Sequence, residues 1–391
     1  MPSAHIFTVD KVTFDVHLKY MFAGTGAGRG EDGRAEQGGA LADILSIRAG
    51  DDILFYVVGY GFFGFFKAKS VGPNLVFYQS HLNQYLHNDL GEKILTYRLF
   101  IEPHENGVYK LGINEWDAIE NPQKIEAQSI FKMQWTWIFK KLKGGRGCTA
   151  IPPQEFVLLR KIIAENNTRI KNAQGYRFLN GQIVPSNETS LYGGKADVSP
   201  VLSGDIRIIR SEECLRIFFC AEAGRNNILN EILQPENHGS ITYISNETKC
   251  SFGIKSIDLL FFTDRGKCLL VELKNSFDFE NSQIDRIILE QIGGYAKWVS
   301  SYKTELTEIV PILVLREPPL YPATRRGTKF KYLSESDCRQ DAISPWYQGK
   351  ITNLNNAARK LSESTIEKLM PLQVYTFKVD GNNILQNFCK L

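Results

Sequence analysis

Two apolar segments joined by a three-residue turn constrain the fold of this chain more than any other part of its sequence. Residues 257–263 and 267–273 are rich in β-branched and aromatic residues, and Asp264, Arg265 and Gly266 separate them. A glycine that closes a three-residue turn is typical of a β-hairpin, because glycine accepts a positive φ. The almost continuous apolar character predicts strands buried on both faces. We therefore predict a central hairpin in which Asp258 lies opposite Glu272.

The order of the elements around this hairpin is typical of a mixed α/β core. Apolar residues at helical spacing predict a helix at 227–233 and a long helix at 283–300, and an apolar run predicts a strand at 309–315. An amphipathic helix at 354–369 and a last strand at 373–379 are expected to complete this region.

The chain is too long for a single core and is predicted to contain two domains. Its 391 residues exceed the size at which single cores stop growing, about 250–300 residues. Residues 166–200 have poor periodicity and several Asn and Gly turn residues. We predict a linker there, between an N-terminal domain at 1–165 and a C-terminal domain at 201–391.

The N-terminal domain is predicted to be mostly β-structure. Short runs rich in β-branched and aromatic residues alternate with turn residues and predict strands at 53–58, 61–68, 75–78 and 94–101, followed by helices near 130–142 and 153–165. Glycines are concentrated at 24–39, but this segment lacks the Gly-Lys-Ser/Thr pattern of a phosphate-binding loop and the expected strand and helix around it. We predict a flexible surface loop at 24–39.

Two carboxylates and a lysine are predicted to converge at one end of the central hairpin. Residues opposite each other on paired strands, or two apart on one strand, share a face, which brings Asp258, Glu272 and Lys274 together. Two buried carboxylates at this distance repel each other unless a cation lies between them. A hard divalent ion, Mg²⁺ or Mn²⁺ in its place, would satisfy both. A structural ion pair at a strand end is the alternative reading of the same three residues.

The long helix that follows the hairpin carries a polar residue on its apolar face. Gln291 interrupts the stripe that includes Ile287, Ile288 and Tyr295. Residues four apart on a helix are neighbours, so Gln291 and Tyr295 are predicted to point the same way, towards the hairpin.

At these residues the chain resembles the PD-(D/E)XK nuclease superfamily over about a quarter of its length, residues 221–315. The resemblance implies that Asp258 and Glu272 bind Mg²⁺ and that Lys274 assists the attacking water, while Gln291 and Tyr295 support the site. Ile257 stands before Asp258 where the superfamily pattern has proline. Many members also use a glutamate from the first helix of the core, a role for which Glu231 is the candidate.

The N-terminal half resembles EVE and other PUA-like β-barrels, which are nucleic-acid-binding modules. The resemblance lies in residues 50–56 (GDDILFY) and 64–70 (GFFKAKS). It implies a recognition domain that could hold a modified or extruded base in an aromatic cage, since any base offers a face for stacking. Candidate cage residues are Tyr60, Phe62, Phe63, Trp116, Trp135 and Trp137, although most of these aromatic residues are expected to belong to the core instead.

Charge favours a nucleic-acid partner only locally. Forty-six Lys and Arg against 43 Asp and Glu leave a net charge of +3. Cations nevertheless concentrate in two short segments that suit phosphate contacts, the first containing Lys140, Lys141, Lys143 and Arg146 and the second containing Arg325, Arg326 and Lys329. Favourable placement at a helix C-terminus is the alternative for the first segment.

Taken together, the residue patterns and the two resemblances imply a Mg²⁺-dependent DNA endonuclease of restriction type, either modification-dependent or sequence-specific, with a PUA-like β-barrel domain before a restriction-endonuclease-like α/β core. Cutting both strands of duplex DNA with one site per chain predicts a homodimer. A binding protein without catalysis, or a nuclease acting on RNA or single-stranded DNA, remains the alternative.

Other features of the composition argue against several further classes of protein. The seven Cys contain no C-x-x-C pair and the six His are scattered, which disfavours a zinc enzyme and a disulfide framework. No apolar run approaches the ~18 residues of a spanning helix. We therefore expect a soluble, cytoplasmic protein.

Overall fold

The predicted central hairpin is present in the computed structural model of the chain. The strands pair antiparallel with Leu259 opposite Val271 and Phe262 opposite Cys268, which confirms the predicted register. The structure describes residues 3–26, 37–70, 76–78, 89, 95–113, 147–165, 167–188, 199–200, 206–250, 255–276, 280–303, 305–317 and 345–391. No helix within these residues is long and apolar enough to cross a membrane.

The chain divides into two compact units that interleave along the sequence. Unit 1 comprises Met1–Ile206, Ile217–Ala221 and Thr242–Ser256. Unit 2 comprises Arg207–Arg216, Glu222–Ile241 and Ile257–Leu391. The expected C-terminal domain at 201–391 is therefore interrupted twice by segments that pack with unit 1.

Unit 1 is built around a curled sheet that forms a half-barrel. The helices of unit 1 are α1 (Lys11–Tyr20), α2 (Gln37–Leu45) and α3 (Pro153–Ala164), and its strands are β1 (Ala4–Val9), β2 (Phe22–Thr25), β3 (Asp52–Val57), β4 (Gly61–Ala68), β5 (Val76–Tyr78), β6 (Tyr97–Pro103), β7 (Val108–Tyr109), β8 (Cys148–Ile151), β9 (Arg169–Ile170), β10 (Gly175–Leu179), β11 (Gln182–Ser186), β12 (Ser199–Pro200) and, from Thr242 onward, β13 (Ile241–Cys250). The strand order in the curled sheet is β12-β5-β6-β4-β3-β1-β8, with β2 also paired to β6.

Side chains of strand β4 contribute to two hydrophobic cores, one on each face of the sheet. Phe63 and Phe66 belong to the core that α1 covers, whereas Phe62 and Phe65 belong to the core that contains Phe156 of α3. Consecutive residues point to opposite faces, as in any strand. Phe62 and Phe65 are nevertheless three apart on the same face, because the pairing of β4 with β3 shifts by one residue between Ile53 and Phe55. Phe62 and Phe63 are therefore core residues and do not form the expected aromatic cage.

The other expected cage residues have different positions. Tyr60, in the turn before β4, is 42% exposed and contacts the ring of Phe178 edge-on, with 5.3 Å between centroids. Trp116, Trp135 and Trp137 lie outside the described residues, as do the helix predicted near 130–142 and most of the loop at 24–39.

The segment predicted to be a linker contains a β-hairpin that belongs to the core of unit 1. Strands β10 and β11 pair antiparallel around a turn at Asn180 and Gly181, both with positive φ. Such an Asn-Gly turn suits a two-residue hairpin. Tyr176, Phe178 and Ile183 of this hairpin are buried with the core that α1 covers. The prediction of a linker at 166–200 therefore fails over this part, because alternate apolar residues there find a buried face.

Truncating Phe178 tests whether this hairpin is part of the fold. The Phe178 ring lies 5.0 Å from the ring of Phe14 and 5.2 Å from that of Phe63. We expect Phe178→Ala to lower the free energy of unfolding by about 3–5 kcal/mol, as for other buried aromatic residues. Urea denaturation monitored by circular dichroism measures the change, with Leu179→Ala as the control because Leu179 is 52% exposed. Equal midpoints for the two variants would contradict the assignment.

Unit 2 is built on a sheet of strands flanked by helices. The strands are β14 (Lys255–Thr263), β15 (Lys267–Lys274), β16 (Glu308–Arg316), β17 (Gln373–Val379) and β18 (Leu385–Lys390), and the helices are α4 (Glu212–Glu222, its first residues in this unit), a 3₁₀ turn (Asn227–Leu229), α5 (Asn230–Leu233), α6 (Pro235–His238), α7 (Asn281–Asp285), α8 (Gly293–Tyr302) and α9 (Pro345–Ser362). The five strands follow one another in the sheet in chain order. Strand β15 is antiparallel to β14 and parallel to β16, and β17 is parallel to β16 and antiparallel to β18.

The order of elements predicted for this unit is confirmed, with several differences. Helices α4 and α6 and strand β18 are additional, and α9 spans Pro345–Ser362 where the apolar spacing predicts a helix at 354–369. The end of the predicted helix instead meets the sheet, since Leu369 forms a bridge with Ile309. Between α7 and α8 the chain continues as a π-helix, Arg286–Ile292, which widens one turn of the predicted long helix.

Candidate active site

Asp258, Glu272 and Lys274 come together at one end of the hairpin, as predicted. Asp258 lies on β14, one residue before the Leu259–Val271 pair, and Glu272 follows Val271 on β15. The backbone N–H of Leu273 donates a hydrogen bond to Oδ2 of Asp258 at 2.9 Å. This bond ties the Asp258 side chain to the neighbouring strand and holds it beside the end of β15.

The Lys274 ammonium lies among three carboxylates. Its Nζ is 2.7 Å from Oε1 of Glu272, 3.9 Å from Oδ2 of Asp258 and 3.8 Å from Oε2 of Glu212. It also donates to the backbone carbonyl of Leu273 at 2.8 Å. Burial lowers the pKa of Lys274, but the three carboxylates outweigh burial and leave the pKa above its ordinary value. Lys274 is therefore a fixed positive charge at neutral pH.

Glu272 is the most deeply buried member of the cluster. Its side chain is 4% exposed, and within the described residues its Oε2 atom has no hydrogen-bond partner. Burial, and next the Asp258 charge, raise the pKa of Glu272 to about 8 against the opposing effect of Lys274. Desolvation favours the neutral form of a carboxyl group, so Glu272 needs more positive charge than Lys274 alone supplies to ionise fully at pH 7.

Glu212 is a cluster residue that sequence reasoning does not identify. It begins helix α4, where Ser211 Oγ accepts from the backbone N–H of Cys214 at 3.3 Å. A serine before two glutamates and an apolar stripe is a sequence pattern typical of a helix start, and it could have located this helix.

The glutamate expected from the first helix of the core, Glu231, lies elsewhere in unit 2. Glu231 is on the short helix α5. Burial raises the pKa of Tyr375, and the Glu231 charge adds a smaller increase. Within the described residues, Glu212 rather than Glu231 is the third carboxylate within 4 Å of Lys274.

Gln291 and Tyr295 lie where the long helix changes its winding. Gln291 belongs to the π-helix and Tyr295, which is 4% exposed, to the following α-helix. In the described part of the chain, Oε1 of Gln291 is buried without a hydrogen-bond partner, and no hydrogen bond joins Gln291 to the Asp258 cluster. Single π-turns occur frequently at functional sites, but a contact between this helix and the cluster stays a prediction.

The donor groups of the cluster fit Mg²⁺ better than a metal held by several protein ligands. No three His, Cys, Asp or Glu side chains among the described residues are arranged to hold a metal ion. Mg²⁺ is commonly bound by one or two carboxylates, with water and substrate phosphate as further ligands. Asp258 and Glu272 provide two such carboxylates, and the unpartnered buried Oε2 of Glu272 is an oxygen that a cation would satisfy.

The two predicted phosphate-binding segments cannot be compared with this geometry. Both lie outside the described residues, the first with Lys140, Lys141, Lys143 and Arg146 and the second with Arg325, Arg326 and Lys329.

Comparison with known proteins gives no further assignment. No protein-family model matches the sequence, and no curated protein is significantly similar to it. A functional interpretation of the chain therefore rests on the chemistry and geometry of the Asp258, Glu272, Lys274 and Glu212 side chains.

Proposed function

We propose that the protein is a Mg²⁺-dependent nuclease that hydrolyses phosphodiester bonds of DNA at the Asp258, Glu272 and Lys274 cluster. The observation that carries the proposal is Glu272, a buried carboxyl group with one unpartnered oxygen and a pKa raised to about 8. A buried group with a strongly shifted pKa beside specific charges is typical of a functional site. The order of strands and helices around it supports a PD-(D/E)XK-like core.

Each residue has a distinct role in the proposed reaction. Asp258 and Glu272 would hold Mg²⁺, which when bound supplies charge stabilisation at a phosphoryl oxygen and lowers the pKa of water. The Lys274 ammonium would orient the attacking water and offset the negative charge that develops on the phosphate in the transition state. Glu212, 3.8 Å from Lys274, would position the ammonium. Gln291 and Tyr295 would support the strand being cut.

Unit 1 has a proposed role in choosing the DNA. Its half-barrel sheet supports a PUA-like recognition module, and Tyr60 is the described member of the predicted cage that remains partly exposed. Because one chain carries one cluster, cleavage of both strands would need a homodimer. A restriction endonuclease, either modification-dependent or sequence-specific, is the proposed form of this pairing.

A cleavage assay tests the proposed function directly. Supercoiled plasmid DNA, modified and unmodified genomic DNA, single-stranded DNA and RNA are incubated with the full chain and Mg²⁺, Mn²⁺ or EDTA. We expect cleavage of duplex DNA with either metal and none with EDTA. Binding without cleavage would support the alternative in which Lys274, already 2.7 Å from Glu272, forms a structural ion pair in a nucleic-acid-binding protein. Cleavage of RNA or single-stranded DNA, without cleavage of duplex DNA, would identify that nucleic acid as the substrate.

Neutralising Glu212 tests its proposed positioning role. We expect Glu212→Gln to reduce kcat by about 10- to 100-fold, the usual cost of removing a group that orients a ligand or catalytic residue. Stability should change little, since Glu212 is half-exposed and such ion pairs contribute about 0–1 kcal/mol. The matched control is Glu213→Gln, on the same turn of α4. If both variants retain full activity while KM is unchanged, Glu212 has no part in the site.

A further inference from the structure

Four basic side chains of unit 1 lie on or beside elements that border the core containing Phe65, Tyr109 and Phe156. They are Lys67 near the end of β4, His104 just after β6, Arg160 on α3 and Arg169 on β9. Lys67, Arg160 and Arg169 all act electrostatically on His104, and Asp52 is the carboxylate that acts on it as well. We call these four residues the basic face.

The positive charge of the basic face is only partly neutralised within the protein. Lys67 forms an ion pair with Asp52, with 2.8 Å between Nζ and Oδ1. Neither Arg160 nor Arg169 has a carboxylate within 4 Å among the residues that the structure describes. Within the described part of the chain, no carboxylate therefore neutralises these two guanidinium groups, which can pair with an anion from outside.

Arg169 is held in place before any ligand arrives. Its guanidinium carbon is 4.4 Å from the centre of the Tyr109 ring, and Nη2 donates to the Tyr109 hydroxyl. The Tyr109 ring is in turn packed edge-on against Phe65, with 6.1 Å between ring centroids. Because the side chain is already ordered, binding an anion costs less conformational entropy than ordering a mobile arginine.

We propose that the basic face binds the phosphate backbone of double-stranded DNA. Guanidinium groups match phosphate geometry with two parallel hydrogen bonds and keep their charge at any physiological pH. Two of them, held on a rigid sheet and helix, suit contacts that position a duplex. The inference rests on the proposed function for its choice of DNA, but it concerns binding by unit 1 and not cleavage.

His104 lies within the same charge environment. Burial lowers the pKa of His104, and Lys67 and Arg160 lower it further while Asp52 opposes them. These effects favour the neutral imidazole, in which one ring nitrogen keeps its proton and can donate to a phosphate oxygen.

The test compares DNA binding by the full chain with binding by variants of the basic face. Fluorescence anisotropy with a labelled duplex of about 20 base pairs is measured in EDTA, which prevents Mg²⁺-dependent cleavage, at several salt concentrations. We expect Arg160→Gln and Arg169→Gln each to weaken binding several-fold. Each should also reduce the slope of log K against log[salt] by about 1, the effect of losing one phosphate contact.

A matched control is available at the other end of the same sheet. Strands β1 and β3 run parallel with Ala4 opposite Asp52 and Val9 opposite Val57. Lys11 therefore follows the end of β1 that lies away from Lys67, the partner of Asp52. We expect Lys11→Gln, which also removes one positive charge, to keep wild-type affinity and slope. Arg160→Glu serves as a second variant, because it leaves the Arg169–Tyr109 packing intact.

Each outcome of this comparison decides something. If the Arg160 and Arg169 variants bind DNA as the wild-type protein does, or if Lys11→Gln weakens binding equally, the basic face is not the DNA-binding surface. Neither result contradicts the proposed nuclease activity. If both variants bind DNA more weakly and the wild-type protein shows no Mg²⁺-dependent cleavage, the basic face binds DNA but the protein is not a nuclease. A wild-type protein that binds RNA but not duplex DNA overturns the choice of partner.

Discussion

Replacing Lys274 with methionine is expected to reduce Mg²⁺-dependent DNA cleavage by about 10³-fold or more. The ammonium is the positive side chain at the centre of the cluster, 2.7 Å from Glu272, and methionine keeps much of its length without its charge. Removing a group that stabilises transition-state charge typically costs about 10²–10³ in kcat, and loss of proton-transfer assistance adds to this. Single-turnover cleavage of plasmid DNA at saturating protein measures the change.

A second lysine on the same strand provides the control. Lys267, at the start of β15, forms an ion pair with Glu308 at 2.7 Å, so Lys267→Met also breaks a lysine–glutamate pair. We expect this variant to cleave at close to the wild-type rate. Asp258→Asn and Glu272→Gln should lose cleavage as Lys274→Met does, while all three keep a cooperative thermal transition. Equal cleavage by the Lys274 and Lys267 variants would show that the Lys274 pair is structural.

Affinity for Mg²⁺ is expected to rise steeply with pH up to the pKa of Glu272. Burial, then the Asp258 charge, raises this pKa to about 8, and a carboxyl group must lose its proton to bind a metal ion. Well below pH 8 the affinity should therefore rise by about tenfold per pH unit, so that the affinities at pH 6 and pH 8 differ by roughly 50-fold, and the affinity should level off above pH 8. Calorimetric titration with Mg²⁺ between pH 6 and 9 measures the curve.

The same shifted pKa predicts how stability depends on pH without metal. The pKa of Glu272 is about 8 in the folded protein and near 4.5 in the unfolded chain. The folded state therefore binds more protons between these values, and linkage makes stability fall as pH rises from about 4.5 to about 8. The contribution of Glu272 is complete below pH 4.5 and lost above pH 8. Mg²⁺ should restore stability in the upper part of this range.

Glu272→Gln provides the test of both pH effects. Glutamine has nearly the same shape but does not ionise, so thermal unfolding in EDTA should depend less on pH than in the wild-type protein. At pH 8 the variant should be more stable by on the order of 1–3 kcal/mol, since one pKa unit corresponds to about 1.4 kcal/mol. A metal affinity that is independent of pH in the wild-type protein, or the same pH dependence of unfolding in the variant, would rule out Glu272 as the responsible group.

The part of the site that could be predicted is the part set by local geometry. A three-residue turn determines which residues face each other on a hairpin, so Asp258, Glu272 and Lys274 could be brought together from sequence spacing alone. The observed pairing of Leu259 with Val271 has this register. Helix α3 follows equally from a proline start and an apolar stripe and spans Pro153–Ala164.

The parts that could not be predicted depend on contacts between distant segments. Glu212 approaches Lys274, 62 residues further along the chain in a separate element, and no spacing rule relates the two. The β10–β11 hairpin has weak periodicity, and its place in the core depends on Phe14 and Phe63 from other elements. The π-helix around Gln291 is a change in winding that residue spacing does not reveal.

By itself, the sequence determined that two carboxylates and a lysine share one end of a buried hairpin, because side-chain direction along a strand follows directly from chain geometry. Only the tertiary structure decided how these groups behave. The burial that raises the pKa of Glu272 comes from residues that surround the hairpin after folding, and the third carboxylate comes from a helix placed by packing. Desolvation and charge separation depend on distances through space, and these exist only once the chain has folded.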